Sequence, residues 1–188
     1  MHAYHDKHGQ LPPAVVCGAD GRPLHSWRVL ILPYIEQGEL YKQFKLDEPW
    51  DSPHNIQLLC KMPPAYEPLP SKARTMPPFH TICHVFVGKG TAFEGPNGLR
   101  LKEDFPNGTH NTILIVEAGK PVPWTKPENL IYDPQGPLPE LKGVFKDRFR
   151  VALASGSPRS IALTMSEKTL RAAINRNNSD PLAPEWSE

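Results

Sequence analysis

The chain has 188 residues, with 21 lysines and arginines against 20 aspartates and glutamates and a formal charge of +1. That length fits one domain, or one domain with a tail, and the balanced charge leaves no global field with which to grip a phosphate backbone, so nucleic acid is not an expected partner. Proline is the outlier: 23 residues, more than twice the usual frequency of about 5%, place much of the chain in loops and extended segments and argue against long helical bundles or solenoids.

No run of about 18 apolar residues is present, so no membrane span is expected. Met1 to His5 has neither the basic nor the apolar region of a secretory signal, and the chain as given reads as soluble. Cys17, Cys60 and Cys83 are spaced too widely for a CxxC motif. Their odd number leaves at least one thiol free, and one disulfide among them stays open.

In chain order, residues 1–8 read as the end of a helix, with Gly9 as its stop and Leu11-Pro12-Pro13 as an extended exit. A strand at residues 14–17 and a turn at Asp20-Gly21 follow. Trp27, Leu30, Ile31, Tyr34 and Ile35 recur at helical spacing and form one buried face. Pro33 kinks or shortens that helix, and Gly38 separates it from a piece carrying Leu40, Tyr41 and Phe44. Asp51-Ser52-Pro53 opens another short helix to about Cys60, with Ser52 as its cap. Residues 62–78, rich in proline, read as an extended surface connection.

Strand signals dominate the second half. Residues 80–87 are β-rich, and residues 112–116 form an unbroken apolar run suited to a central strand covered on both faces. Residues 148–154 alternate, with Phe149, Val151 and Leu153 inward, and Ser155-Gly156-Ser157 turns the chain into a partner strand at residues 159–163. Ser166 caps a last helix whose apolar side is Leu170, Ala173 and Ile174. Residues 1–177 read as a single domain and 178–188 as a loose tail.

Several long blocks carry a resemblance. They include Ser26-Trp27-Arg28-Val29-Leu30-Ile31-Leu32-Pro33-Tyr34-Ile35-Glu36-Gln37, then Leu46-Asp47-Glu48-Pro49-Trp50-Asp51-Ser52-Pro53-His54-Asn55. Tyr4-His5-Asp6-Lys7-His8-Gly9, Asn107-Gly108-Thr109-His110-Asn111-Thr112-Ile113 and Pro123-Trp124-Thr125-Lys126-Pro127-Glu128 extend it over almost the whole chain. The sequence resembles a large paralogous domain family of planctomycete bacteria, of unknown function and catalogued under a solute-binding label, that usually follows a type IV pilin-like methylation helix. The resemblance implies an α+β fold with a pilin-like antiparallel sheet packed on an N-terminal helix, here truncated, with short helical insertions and a C-terminal helix. It also implies a periplasmic or extracellular place in the cell envelope, other pilin-like subunits as partners, and membrane contact only through the missing N-terminal helix. Two departures stand out. Asn107-Gly108 and Ser155-Gly156 replace Asp-Gly pairs of the family pattern, which removes carboxylates that a Ca²⁺ ion would need.

The residues give little chemistry. His80 and His84 share a strand face but lie roughly 13 Å apart by rise, too far for one zinc, and His2, His5 and His8 lack further ligands. Ser155-Gly156-Ser157 is a hairpin tip rather than a nucleophile elbow, and Cys83 reads as a small buried hydrophobe. Trp50 among Asp47, Glu48 and Asp51 is either a sugar-gripping constellation or a tryptophan plugging the core, the second being the commoner arrangement. Glu117, after five apolar residues, is costly to bury unpaired and is expected to pair with Arg28 or to cap amides near Trp124. The candidate polar site is therefore Arg28, Trp50, Asp51, Asn111, Glu117 and Trp124, with no catalytic residue, metal or cofactor. The expected function is that of a non-catalytic, pseudopilin-like structural or interaction protein. The alternative is a soluble extracytoplasmic module for a small solute or glycan, with Trp50 and Trp124 as platforms.

Overall fold

The apolar run at residues 112–116 opens the longest strand in a computed structural model of the chain, which describes residues 1–68, 76–178, Leu182 and Trp186. That strand, β5 (Ile113–Pro123), pairs on one side with β3 (His80–His84) and on the other with β7 (Arg148–Leu153), and β8 (Pro158–Ala162) completes the order β3-β5-β7-β8. All three pairings are antiparallel. Two small pairs flank this sheet: a hairpin of β1 (Val15–Cys17) and β2 (Pro23–Ser26), and a parallel pair of β4 (Phe86–Val87) and β6 (Leu130–Ile131).

The fold is α+β, as the sequence predicts, and its helices are short. Helix α1 (His2–His8) ends at Gly9 in the left-handed conformation, φ 74°. The predicted helical face splits at Pro33 into α2 (Trp27–Leu30) and a 3-10 turn over Leu32–Tyr34, followed by α3 (Gly38–Tyr41). The helix expected to open at Ser52 is a 3-10 helix, Asn55–Lys61, rather than an α-helix, and its N-cap position is His54, not Ser52. Ser166 caps α4 (Glu167–Ile174) by accepting from the Thr169 amide.

Strand β5 feeds two apolar clusters, as a strand covered on both faces must. Leu114 joins Leu11, Trp27, Leu32, Phe44 and Trp124 in the first. Ile113 and Val116 join Phe149, Val151, Leu153 and Ile161 in the second, with Leu170 and Ile174 of α4. Trp186 is buried in the second cluster with the Arg159 guanidinium 4.9 Å from its ring centre, so at this residue the expected loose tail is packed. The proline-rich connection is likewise ordered where it is described: a turn at Pro64–Tyr66 buries Tyr66, which stacks on Trp124. Its residues 69–75, and most of residues 179–188, lie outside the described residues. All three cysteines are free thiols.

Candidate functional site

A groove of about 900 Å³ opens between the β1–β2 turn, the loop at residues 47–51 and the segment 126–128. Asp20 and Arg22 line it from the turn, Asp47, Trp50 and Asp51 from the loop, and Lys126 and Glu128 from the opposite wall. Its volume lies in the range of small-ligand sites. Trp50 is half-buried and belongs to neither apolar cluster, whereas Trp27, Trp124 and Trp186 are all in the core.

The loop bearing Trp50 has no regular hydrogen-bond ladder, so its backbone groups need partners from side chains. Asn55, fully buried, supplies them. Its Oδ1 accepts from the Lys45 amide at 3.0 Å, and its Nδ2 shares its protons among the carbonyls of Lys45, Glu48 and Pro49 at 2.9, 3.2 and 3.0 Å. Ser52 Oγ accepts from the Asn55 amide at 3.1 Å, fixing Asn55 in turn. Hydrogen bonds from Ser52 and Lys45 hold the Glu48 carboxyl below the usual carboxylate range. The Trp50 amide donates to the Leu24 carbonyl at 2.8 Å and ties the loop to β2.

The opposite wall is held from inside the protein. Arg28 is fully buried. Its Nε donates to the Trp124 carbonyl at 2.7 Å, Nη1 to the Cys83 carbonyl at 2.8 Å, and Nη2 to the carbonyls of Lys126 at 2.7 Å and Glu128 at 3.3 Å. Burial lowers its pKa to about 10, which still leaves a cation at neutral pH. The Tyr66 hydroxyl donates to the Arg28 carbonyl at 2.8 Å. The guanidinium is thus spent on shaping main chain and is closed to any ligand in the groove.

Of the six residues singled out from the sequence, Trp50 and Asp51 line the groove and Arg28 supports its wall. The other three depart from expectation, as does the setting of Trp50. Trp124 cannot be a platform: it is fully buried, donates from Nε1 to the Leu59 carbonyl at 2.9 Å and packs edge-on to Phe44. Trp50, expected to plug the core, is half-buried and outside both apolar clusters, because the polar loop around it holds it near the surface. Glu117 pairs not with Arg28 but with Arg150, directly opposite on β7, at 2.8 Å to Nε and 2.6 Å to Nη2. The antiparallel register puts these two side chains on one face of the sheet, while Arg28 lies among carbonyls. Asn111 belongs to a turn, where its Nδ2 donates to the Asn107 carbonyl at 3.0 Å. It does not line the groove.

Asn55, Asp20, Arg22, Lys126 and Glu128 escaped the sequence reading. For Asn55 a signal was present, since an Asn three residues after a serine sits where its amide can donate to the serine hydroxyl, as it does to Ser52 here. Outside the groove, burial pushes the Cys83 thiol up to about 12, which removes it as a nucleophile. Among the described residues, no three His, Cys, Asp or Glu side chains are grouped to hold a metal ion. No helix among them is long and apolar enough to cross a membrane.

Residues 1–87 match a family model, SBP_bac_10, described as a protein of unknown function (DUF1559). The match runs from α1 to the end of β4 and takes in the Trp50 loop, the β1–β2 hairpin and Arg28. It stops before the wall at residues 126–128, so the later blocks of the resemblance lie outside it. The likeness is to a solute-binding-type domain by its catalogue label and brings no activity with it. No curated protein and no solved structure matches the chain.

Proposed function

We propose that the chain is a non-catalytic extracytoplasmic binding domain that holds a small polar solute or a glycan in the Trp50 groove. The observation that carries this reading is the half-buried Trp50 lining a cavity whose two walls are pinned by buried side chains, Asn55 on one side and Arg28 on the other. A flat apolar ring flanked by carboxylate acceptors suits a pyranose, which offers an apolar face and hydroxyl donors at its rim. Pinned walls lower the ordering cost of binding. The lining holds no serine, threonine, cysteine or histidine, and so offers no hydroxyl or thiol nucleophile paired with an imidazole base. Its carboxylates repel a phosphate backbone, which argues against nucleic acid.

A second reading, a pseudopilin-like subunit of the cell envelope, is favoured by the docking of α1. The His2 ring nitrogen Nε2 bonds the Ala154 carbonyl at 2.8 Å beside the β7–β8 turn, His5 Nε2 accepts from the Leu101 amide at 3.2 Å, and Met1 and Tyr4 pack on the first apolar cluster. A helix running upstream from α1 would anchor such a head in the membrane and bring it to other subunits, in the manner of the planctomycete family it resembles.

Titration of the protein with a panel of neutral oligosaccharides, followed by the indole NMR resonance of Trp50, tests the first reading. Saturable shifts that vanish in Trp50→Ala are expected. Shifts unchanged in Trp50→Ala, or none with any saccharide, would overturn it. Cross-linking in fractionated cells tests the second: a monomer confined to the soluble fraction would sink it.

A further inference from the structure

Building on the groove as the binding site, we infer that it selects ligands carrying a protonated amine, and that amino sugars are its ligand class. The lining has four carboxylates, Asp20, Asp47, Asp51 and Glu128, against two cations, Arg22 and Lys126, so its formal charge is 2 − 4 = −2. The cations are already matched: Arg22 Nε lies 3.2 Å from Asp20, and Lys126 Nζ lies 2.5 Å from Glu128. Asp47 and Asp51, on either side of Trp50, have no hydrogen bond or ion pair within the described residues. The charge in excess is therefore carried by the loop that bears Trp50.

That arrangement sorts ligands by sign. A uronic acid or sugar phosphate would bring like charge up to these exposed carboxylates, a repulsion felt most at low salt. A neutral sugar satisfies Trp50 and the acceptor oxygens but leaves both carboxylates without a counter-charge. An ammonium group supplies the counter-charge that these carboxylates lack and is attracted to an electron-rich ring face, while the pyranose body keeps its contact with Trp50. A divalent cation does not fit instead, because among the described residues these carboxylates do not converge into a group able to coordinate one. The charge also bears on rate, since a negative cleft raises the encounter frequency of cationic ligands.

Calorimetric titrations near neutral pH, at low and high salt, with a β-1,4 glucosamine tetramer, its fully N-acetylated counterpart and spermidine form the test. The free-amine sugar is expected to bind about tenfold or more tightly than the N-acetylated one at low salt. That margin should shrink with salt and be lost in the double variant Asp47→Asn, Asp51→Asn, while Trp50→Ala weakens both sugars. Equal or tighter binding of the N-acetylated sugar, lost in Trp50→Ala, would overturn amine selection and leave the groove reading intact. Spermidine binding as tightly as the amino sugar would overturn the sugar class. Amine binding that ignores Trp50→Ala would place the site elsewhere and overturn the inference. Absence of binding by any saccharide, with circular dichroism showing a folded protein, would overturn inference and groove together.

Discussion

The guanidinium of Arg28 reaches from α2 through the core and donates to the Lys126 carbonyl at 2.7 Å, so a buried cation shapes the outer wall of a groove it never touches. Four carbonyl oxygens from two separate segments, residues 83 and 124–128, converge on this one side chain. Among the described residues no carboxylate opposes it at hydrogen-bond distance. Carbonyl dipoles carry the charge instead, and the planar fork of arginine is what allows one group to reach several of them.

Arg28→Met should therefore destabilise the fold by about 3 kcal/mol or more, because the carbonyls it serves stay buried without donors. Arg28→Lys should not rescue it, since a point ammonium cannot span the fork geometry. Chemical denaturation of the variants measures this. A lysine variant with an unchanged midpoint would show that charge, and not geometry, holds the wall.

Asn55→Ala removes three carbonyl contacts and one amide contact from the Trp50 loop and should cost about 2 to 3 kcal/mol. Asn55→Asp is the sharper test. It keeps size and the acceptor for the Lys45 amide but turns the donor toward the carbonyls of Lys45, Glu48 and Pro49 into a second acceptor. It should be at least as damaging as alanine, and saccharide affinity should fall in both variants before either unfolds.

Local signals in the sequence were reliable where one physical cause acted within a few residues. Gly9 stops α1, Pro33 breaks the helical face of Trp27 to Ile35, Ser166 caps α4, and the alternation of Phe149, Val151 and Leu153 gives β7 its buried side. Strand β2 was missed because its buried residues are His25 and Ser26, which carry no apolar alternation. The site was legible by half. Trp50 and its acidic neighbours stood out, but which tryptophan stays out of the core depends on packing between distant segments: Tyr66 stacks on Trp124, and nothing in the local sequence announces that. The partner of Glu117 was hidden for a similar reason, as strand register decides it.

The Glu117–Arg150 pair should matter little to stability. Both side chains are about a third exposed, at 32% and 39%, and ion pairs in that setting contribute about 1 kcal/mol or less. Glu117→Gln should shift the denaturation midpoint slightly, and added salt should shrink the difference from wild type. A loss several times larger would mean that Glu117 serves a buried partner.

Stability should fall with acid in a way that one histidine explains in large part. His84 is buried on β3, its Nε2 donates to the Lys120 carbonyl at 3.0 Å, and Nδ1 has no partner among the described residues. Burial, with Arg28 nearby, lowers its pKa from 6.5 to about 4. In this window the unfolded chain binds a proton that the folded chain refuses, so acid favours unfolding. The contribution is intact above the unfolded value, is lost progressively as pH falls from 6.5 to about 4, and totals about 3 kcal/mol. His25 is shifted in the same direction, chiefly by its burial, and rests against the Lys45 carbonyl of the Trp50 loop. In His84→Gln, whose amide can still donate to the Lys120 carbonyl, unfolding midpoints measured across that window should lose most of the slope that the wild-type protein shows. An unchanged slope would mean that His84 is protonated in the folded protein, with its Nδ1 served by a carbonyl or water.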